Sequence, residues 1–289
     1  MALVKYDAKF VPNAFGLVNI GATCYFNSFI QAMLSLPSVT AFFLENEERL
    51  KSNPVATTYI RFLRHVLSIK NSESVNPLEL FRMFVIAIRK KNPHSTFGSG
   101  QEDADEALTL FLDSIDDPDL YKIFMSTYNL SVFCSDCTVS SRIKSDNSCV
   151  IEITPGASAE ILPISEKIKR YTVTCPGYKC PKCERSNRES PPQTLYRLCN
   201  VGNVITILFL KYNIAGAISY QQTIELPGND GVLTFKLVAI IEHSGSTSGG
   251  HYWSRCLRTG GFALLNDSSV GQGDDSVRSE SYILFYHYI

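Results

Sequence analysis

The chain has 289 residues, 45% of them hydrophobic, with 27 basic and 28 acidic side chains and a net charge of −1. That is ample apolar material for one large domain or two lobes, and the balanced charge excludes a binder of nucleic acid or of a membrane surface that works by electrostatics. Nine cysteines, an odd number, and no signal-peptide pattern in residues 1–10 point to a reducing, intracellular setting (cytoplasm and/or nucleus), with thiols used for metal binding or catalysis.

The first informative stretch is Gly16-Leu17-Val18-Asn19-Ile20-Gly21-Ala22-Thr23-Cys24-Tyr25-Phe26-Asn27-Ser28. Glycines and asparagines mark a turn, and the apolar run Phe29, Ile30, Met33, Leu34, Leu36 follows at helical spacing until Pro37. Cys24 therefore opens a helix, where unpaired N–H groups and the helix dipole favour a thiolate, the form that attacks carbonyls. Asn19, five residues earlier, is placed to offer its amide to an oxyanion.

Helical patterns continue from Cys24 to about Glu48, over Val55–Ile69, over Pro77–Arg89, and from about Gln101 to Ile115. After Asp116-Asp117-Pro118 the chain turns strand-rich. Tyr128–Phe133, Ser148–Ile153, Thr172–Thr174, Leu195–Leu198, Val204–Tyr212, Phe235–Glu242, Tyr252–Arg258, Phe262–Leu265 and Tyr282–Tyr288 all read as β. A helical lobe followed by a strand-rich lobe is an α+β arrangement. The most apolar run, Val201–Leu210, is about half the ~20 residues that span a bilayer, and reads as a buried strand.

Cys134-Ser135-Asp136-Cys137 and Cys180-Pro181-Lys182-Cys183 are two Cys-x-x-Cys units. Four thiolates satisfy tetrahedral zinc and leave no open position for water, so the expected metal is structural. Cys175 is a competing ligand for Cys180.

Among the five histidines, His251 has the most informative surroundings. A loop of small residues ends in Gly249-Gly250, and a strand then runs from His251 to about Arg258. A tight turn at Thr259–Gly260 sends the chain back through Phe262–Leu265, so hairpin register alone brings His251 to Asn266 or Asp267. A base held by an amide or carboxylate is the orienting half of a Cys/His/Asn-or-Asp triad. His243 is the rival base.

Together these motifs resemble the ubiquitin-specific protease family of deubiquitinating enzymes over nearly the whole chain. The stretch Gly16–Ser28 resembles its Cys box, and Gly249-Gly250-His251-Tyr252 with Asn266-Asp267-Ser268-Ser269-Val270 its His box. Gln101-Glu102-Asp103-Ala104-Asp105-Glu106 resembles its Gln-Asp-Glu motif, and the four paired cysteines its zinc-bearing fingers. The resemblance implies a single catalytic domain over 1–289 with a papain-like fold: a helical thumb (about 1–120), zinc-bearing β fingers (121–203) and a β-sheet palm (204–289). It implies Cys24 as nucleophile, His251 as base, Asn266 as its orienting partner, Asn19 at the oxyanion and Asp267 in support. Cys134, Cys137, Cys180 and Cys183 would hold structural zinc, with no organic cofactor. Ubiquitin and ubiquitinated proteins would be the partners, with Gln101, Asp103, Glu106, Gly249, Gly250 and Tyr252 on the substrate side. Asp103 and Glu106, three apart on a helix, would share a face and attract arginines of the ubiquitin tail. The alternatives are a deconjugase for another ubiquitin-like modifier and a catalytically silent ubiquitin-binding scaffold.

Overall fold

In a computed structural model of the protein, residues 3–70, 73–134, 140–154, 163–174, 193–210, 220–228, 231–246 and 249–289 are described. The helical part opens with the two-residue strand β1 (Gly16–Leu17), after which α1 (Cys24–Met33) runs buried on every side. The single helical run expected from Cys24 to about Glu48 is three helices. A turn at Leu34–Ser35 ends α1, and α2 (Pro37–Glu45) and α3 (Glu47–Leu50) follow. Pro37 sits in the first turn of α2, where its fixed φ helps and its missing N–H costs nothing.

The next helix, α4 (Pro54–Ser68), is capped by Asn53, whose side-chain oxygen accepts from the N–H groups of Val55 and Ala56. The short strand β2 (Ser74–Val75) pairs parallel with β1, and α5 (Leu78–Lys91) and α6 (Ala104–Ile115) complete the amphipathic helices read from sequence. A further helix, α7 (Pro118–Phe124), begins at Asp117-Pro118, where Asp117 accepts from the Asp119 N–H. Asp116 just before it adopts a left-handed conformation (φ 55°), which breaks α6 from α7. The helices meet in an aromatic core in which Phe26, Phe29, Phe43, Tyr59, Phe84 and Phe111 touch, in edge-to-face, tilted and stacked pairs.

The strand-rich part comprises β3 (Ser126–Phe133), β4 (Ser140–Ser148), β5 (Ile151–Ile153), the helix α8 (Ile164–Lys169), β6 (Arg170–Thr174) and β7 (Gln193–Asn200). It continues with β8 (Val204–Phe209), β9 (Thr223–Gly228), β10 (Gly231–Ser246), β11 (Gly249–Arg258), β12 (Gly261–Asn266), β13 (Ser269–Gln272) and β14 (Ser281–Tyr288). A four-stranded sheet has the order β4-β3-β7-β6. An eight-stranded sheet has the order β13-β12-β11-β10-β14-β8-β5, with β9 also paired to the long β10. The stretch expected as one strand over Ser148–Ile153 is split: its start ends β4 in the small sheet, whereas β5 pairs parallel with β8 in the large one.

The central strands of the large sheet, β8, β14 and the middle of β10, are buried on both faces. Val238, Ala239, Ile241, Ile283 and Phe285 pack into the helical core with Cys24, Phe26 and Phe29. Ile240, Leu284, Tyr286, Ile205 and Ile207 alternate onto the other face and join α8, Tyr128 and Leu130 of the small sheet. Among the described residues no single helix is long and apolar enough to cross a membrane.

Candidate active site

The loop before α1 is built around Asn19. Its side-chain oxygen accepts from the N–H of Gly21 (3.0 Å), the N–H of Thr23 (3.2 Å) and the hydroxyl of Thr23 (3.2 Å). Gly21 takes φ 107°, a region open to glycine at no steric cost. These bonds bring Cys24 to the first position of α1, where the first-turn N–H groups have no partner within the helix. No acidic residue lies in that turn to offset its positive end.

The other end of α1 is fixed as firmly. Arg258 of β11, buried, donates to the backbone and side-chain oxygens of Gln31 (2.9 Å each) and to Ser35 Oγ. Gln31 in turn donates to the Phe15 carbonyl (2.8 Å). The helix bearing Cys24, the strand bearing His251 and the chain leading into the Cys24 loop thus share one buried polar joint.

His251 stands at the start of β11. Its Nε2 lies 2.7 Å from Asn266 Oδ1. An amide oxygen only accepts, so Nε2 carries the proton and Nδ1 presents its lone pair. The hairpin turn falls at Thr259–Gly260 as expected, with Ser254 opposite Leu265. His243 pairs with Tyr252 across β10 and β11 and therefore lies on the opposite face from His251. There it is buried against the rings of Tyr252 and Tyr282 (4.3 and 6.0 Å).

Asp267 ties these parts together. It adopts φ 47°, accepts from Asn19 Nδ2 (3.0 Å) and Asn27 Nδ2 (2.8 Å), and offers its backbone carbonyl to the Leu17 N–H (2.8 Å). One N–H of the Asn19 amide is thus committed to Asp267. Asn27 carries weight the sequence reading did not assign to it. It is a buried amide on a largely apolar helix, one turn after Cys24, and that buried polarity was the available signal.

Gln101 bridges the two sides of the cleft. Its Oε1 accepts from the Gly250 N–H (3.0 Å), and its Nε2 donates to the Gly250 carbonyl and lies 3.8 Å from Cys24 Sγ. Only glycine fits at 250, because a Cβ there would stand 2.4 Å from His243 Nε2.

The Gln101–Glu106 segment differs from the expected helix start. The helix begins at Ala104, and Asp103 is its N-cap, accepting from the Asp105 N–H (2.8 Å). Asp103 at the N-cap and Glu106 in the first turn remain neighbours: partial burial first, then the charges of Glu102 and Asp103, raises the pKa of the Glu106 carboxyl. The Asp103 carboxylate also accepts from the hydroxyls of Tyr282 (2.7 Å) and Tyr252 (3.4 Å), so Tyr252 reaches the site as an anchor for Asp103. Glu106 stays exposed. Asp105 is largely withdrawn from water: burial, then the carboxylates of Asp103, Glu152 and Glu106, raises its pKa to about 6.

Of the cysteines expected to bind metal, Cys134 is buried just past the end of β3, whereas Cys137, Cys180 and Cys183 lie outside the described residues. Among the described residues no three His, Cys, Asp or Glu side chains are grouped to hold a metal ion. The backbone register still fits the pairing. Phe133 faces both Ser140 and Gln193, and Gln193 also faces Thr174, so the connections holding the two Cys-x-x-Cys units leave the same end of the small sheet.

A helical half against a buried sheet, with a cysteine opening the central helix and a His–Asn pair at a strand end, is the architecture of papain-like thiol hydrolases. The chain belongs to the ubiquitin carboxyl-terminal hydrolase family, whose sequence model matches residues 15–286. It is 25% identical to the probable ubiquitin carboxyl-terminal hydrolase 16 of Schizosaccharomyces pombe, over 96% of this chain and 67% of that protein. Against human ubiquitin carboxyl-terminal hydrolase 42 it is again 25% identical, over 94% of this chain and 22% of that protein. The chain thus spans two thirds of the first relative and about a fifth of the second. Among solved structures, the SAGA Ubp8/Sgf11/Sus1/Sgf73 DUB module bound to ubiquitin aldehyde has the same fold, with a TM-score of 0.72 at 15% identity. That match covers all of this chain and 72% of the other.

Proposed function

We propose that the protein is a thiol-dependent deubiquitinase that hydrolyses the peptide or isopeptide bond after the C-terminal glycine of ubiquitin. The observation that carries this reading is the meeting, at one cleft, of three groups remote in sequence. Cys24 at the head of α1 is linked through Gln101 to the residue beside His251, and His251 is held by Asn266. Membership of the family supplies the substrate class.

In this reading the extended tail of ubiquitin runs between the Gln101 segment and Gly249-Gly250. Gly250 offers both its N–H and its carbonyl to a neighbouring amide, as its bonds to the Gln101 carboxamide show. A tail ending in two glycines brings no Cβ to this narrow space. The Nδ1 lone pair of His251 takes the Cys24 thiol proton. The thiolate forms a C–S bond to the terminal glycine carbonyl, and its oxygen becomes an oxyanion held by the side-chain amide of Asn19 and by N–H groups at the head of α1. The imidazolium returns its proton to the leaving lysine amine as the C–N bond breaks. Water, deprotonated by His251, then cleaves the thioester and frees Cys24.

Cys134, Cys137, Cys180 and Cys183 would hold a structural zinc ion that pins together the two connections at the end of the small sheet. The register of β3, β7 and β6 supports that pairing.

The test is a ubiquitin derivative with an electrophile at its C-terminus. Covalent labelling of Cys24, abolished in Cys24→Ala, is the expected result. Tight binding without labelling would mean a silent scaffold, and labelling only by another modifier bearing the same electrophile would move the substrate assignment to that modifier.

A further inference from the structure

The sequence contains a single tryptophan, Trp253, and it lies two residues from His251. The β11–β12 ladder runs from Arg258 opposite Gly261 to Ser254 opposite Leu265, and stops one step short of Trp253 and Asn266. His251 therefore lies two residues beyond the position nearest Asn266. It is on the same face of β11 as Trp253, because side chains alternate along a strand. For Nε2 to reach 2.7 Å from Asn266 Oδ1, the imidazole leans back along the strand over the place that Trp253 occupies. The two rings are 5.9 Å apart, centroid to centroid, and 26° from parallel, within the range of an offset stack.

From this geometry, and resting on the catalytic role of His251 given above, we propose that Trp253 is a positioning residue. Its indole is the floor on which the His251 imidazole rests, with Nε2 turned to Asn266 and Nδ1 turned to the cleft. A histidine held by one hydrogen bond alone can still pivot about that bond, and a flat ring beneath it removes the pivot. The floor is itself fixed. Trp253 faces Glu242 across β10. The next residue on its own face, Arg255, is buried and bonded to Glu242, Asp274 and Ser276. Arg278 in turn pairs with Asp274 and bonds Ser276, and Asp267, at the end of β12, is turned to Asn19 and Asn27. The negative face of the indole also favours the imidazolium that forms when Cys24 ionises.

Two substitutions and one spectroscopic titration test this. With a fluorogenic ubiquitin amide, Trp253→Ala should lower kcat by about ten- to a hundredfold, the scale of a misplaced reacting group, with KM within about twofold. Trp253→Phe, which keeps an aryl face, should recover most of the loss. Independently of any turnover, the sole indole should report the ring above it. Titrated with acrylamide at constant pH, its fluorescence should be quenched more steeply in His251→Ala than in the parent, because the ring that covers one indole face is gone. The proposal is overturned if the quenching titration is the same in His251→Ala. It is also overturned if Trp253→Ala only lowers thermal stability while kcat per folded molecule stays within twofold. Because the titration needs no substrate, a failed substrate assignment would leave it unchanged.

Discussion

The cleft and the far end of the small sheet are ordered by different means. Around the cleft, order comes from polar side chains of this chain that reach across long stretches of sequence. Asp267 joins Asn19 and Asn27, Arg258 joins Gln31 and Ser35, and Gln101 joins Gly250 to Cys24. In the small sheet, order comes from stacked tyrosines near its base. Tyr171 and Tyr196 lie 4.5 Å apart and nearly parallel, and Tyr128 donates to the Ile168 carbonyl (3.0 Å). Towards its other end Phe133 and Val173 are exposed, and the chain passes into the two cysteine pairs. A cleft bonded through its own side chains holds reacting groups in place. At that end Val132 and Cys134 are buried beside the exposed Phe133 and Val173, and a cross-link between the two connections is the part proposed for zinc.

If this contrast is right, changes at the cleft alter turnover and changes at the sheet end alter stability. The largest effect is expected from Cys24→Ala, which should abolish hydrolysis of a ubiquitin amide and leave the circular dichroism and melting temperature near those of the parent. Asn19→Ala should lower kcat by about 10²–10³, the usual loss of one oxyanion donor. A drop in melting temperature alone, without that loss, would reduce Asn19 to a loop organiser. At the other region, Cys134→Ser or a strong chelator should lower the melting temperature by about 5–10 °C while kcat on a small ubiquitin amide stays within a few-fold. An unchanged melting temperature would remove the cross-link and with it half of the contrast.

The smallest effect tests a contact outside both regions. His287 of β14 is buried, and its Nε2 accepts from the Ser38 N–H (3.2 Å) at the start of α2. Burial lowers its pKa to about 4, below the ~6.5 of an exposed histidine. The folded state keeps the ring neutral while the unfolded chain takes up the proton, so stability is complete above about pH 6.5 and declines towards pH 4. The loss is at most about 3 kcal/mol. His287→Gln should flatten this slope in denaturant titrations between pH 7 and 4. An identical slope in the variant would assign the acid sensitivity to other groups.

Much of the cleft was legible because its signals are local. Cys24 follows a run of turn residues and precedes an apolar helix, and His251 and Asn266 are joined by a short hairpin whose turn the sequence marks. The amphipathic helices α4 and α5 were readable from their periodicity for the same reason. Other elements gave no such signal. Strand β4 (Ser-Ser-Arg-Ile-Lys-Ser-Asp-Asn-Ser) lacks apolar alternation and is a strand because β3 pairs with it. Helix α7 is one short segment behind Asp117-Pro118, which reads equally well as a loop. Asp103 reads from sequence as a contact for a basic tail, and the folded chain adds that it caps α6 and receives the hydroxyls of Tyr252 and Tyr282.

By itself, then, the order of residues marked Cys24, His251 and Asn266 as candidates for chemistry and gave the helices and strands whose periodicity is strong, since both follow from residue type and spacing over a few positions. The tertiary structure alone decided what restrains those groups. Asn27 meets Asp267 across 240 residues, and Arg258 meets Gln31 across 227. Contacts between such distant positions leave no periodic trace in the chain, because they arise only when separate elements bury their polar side chains against one another.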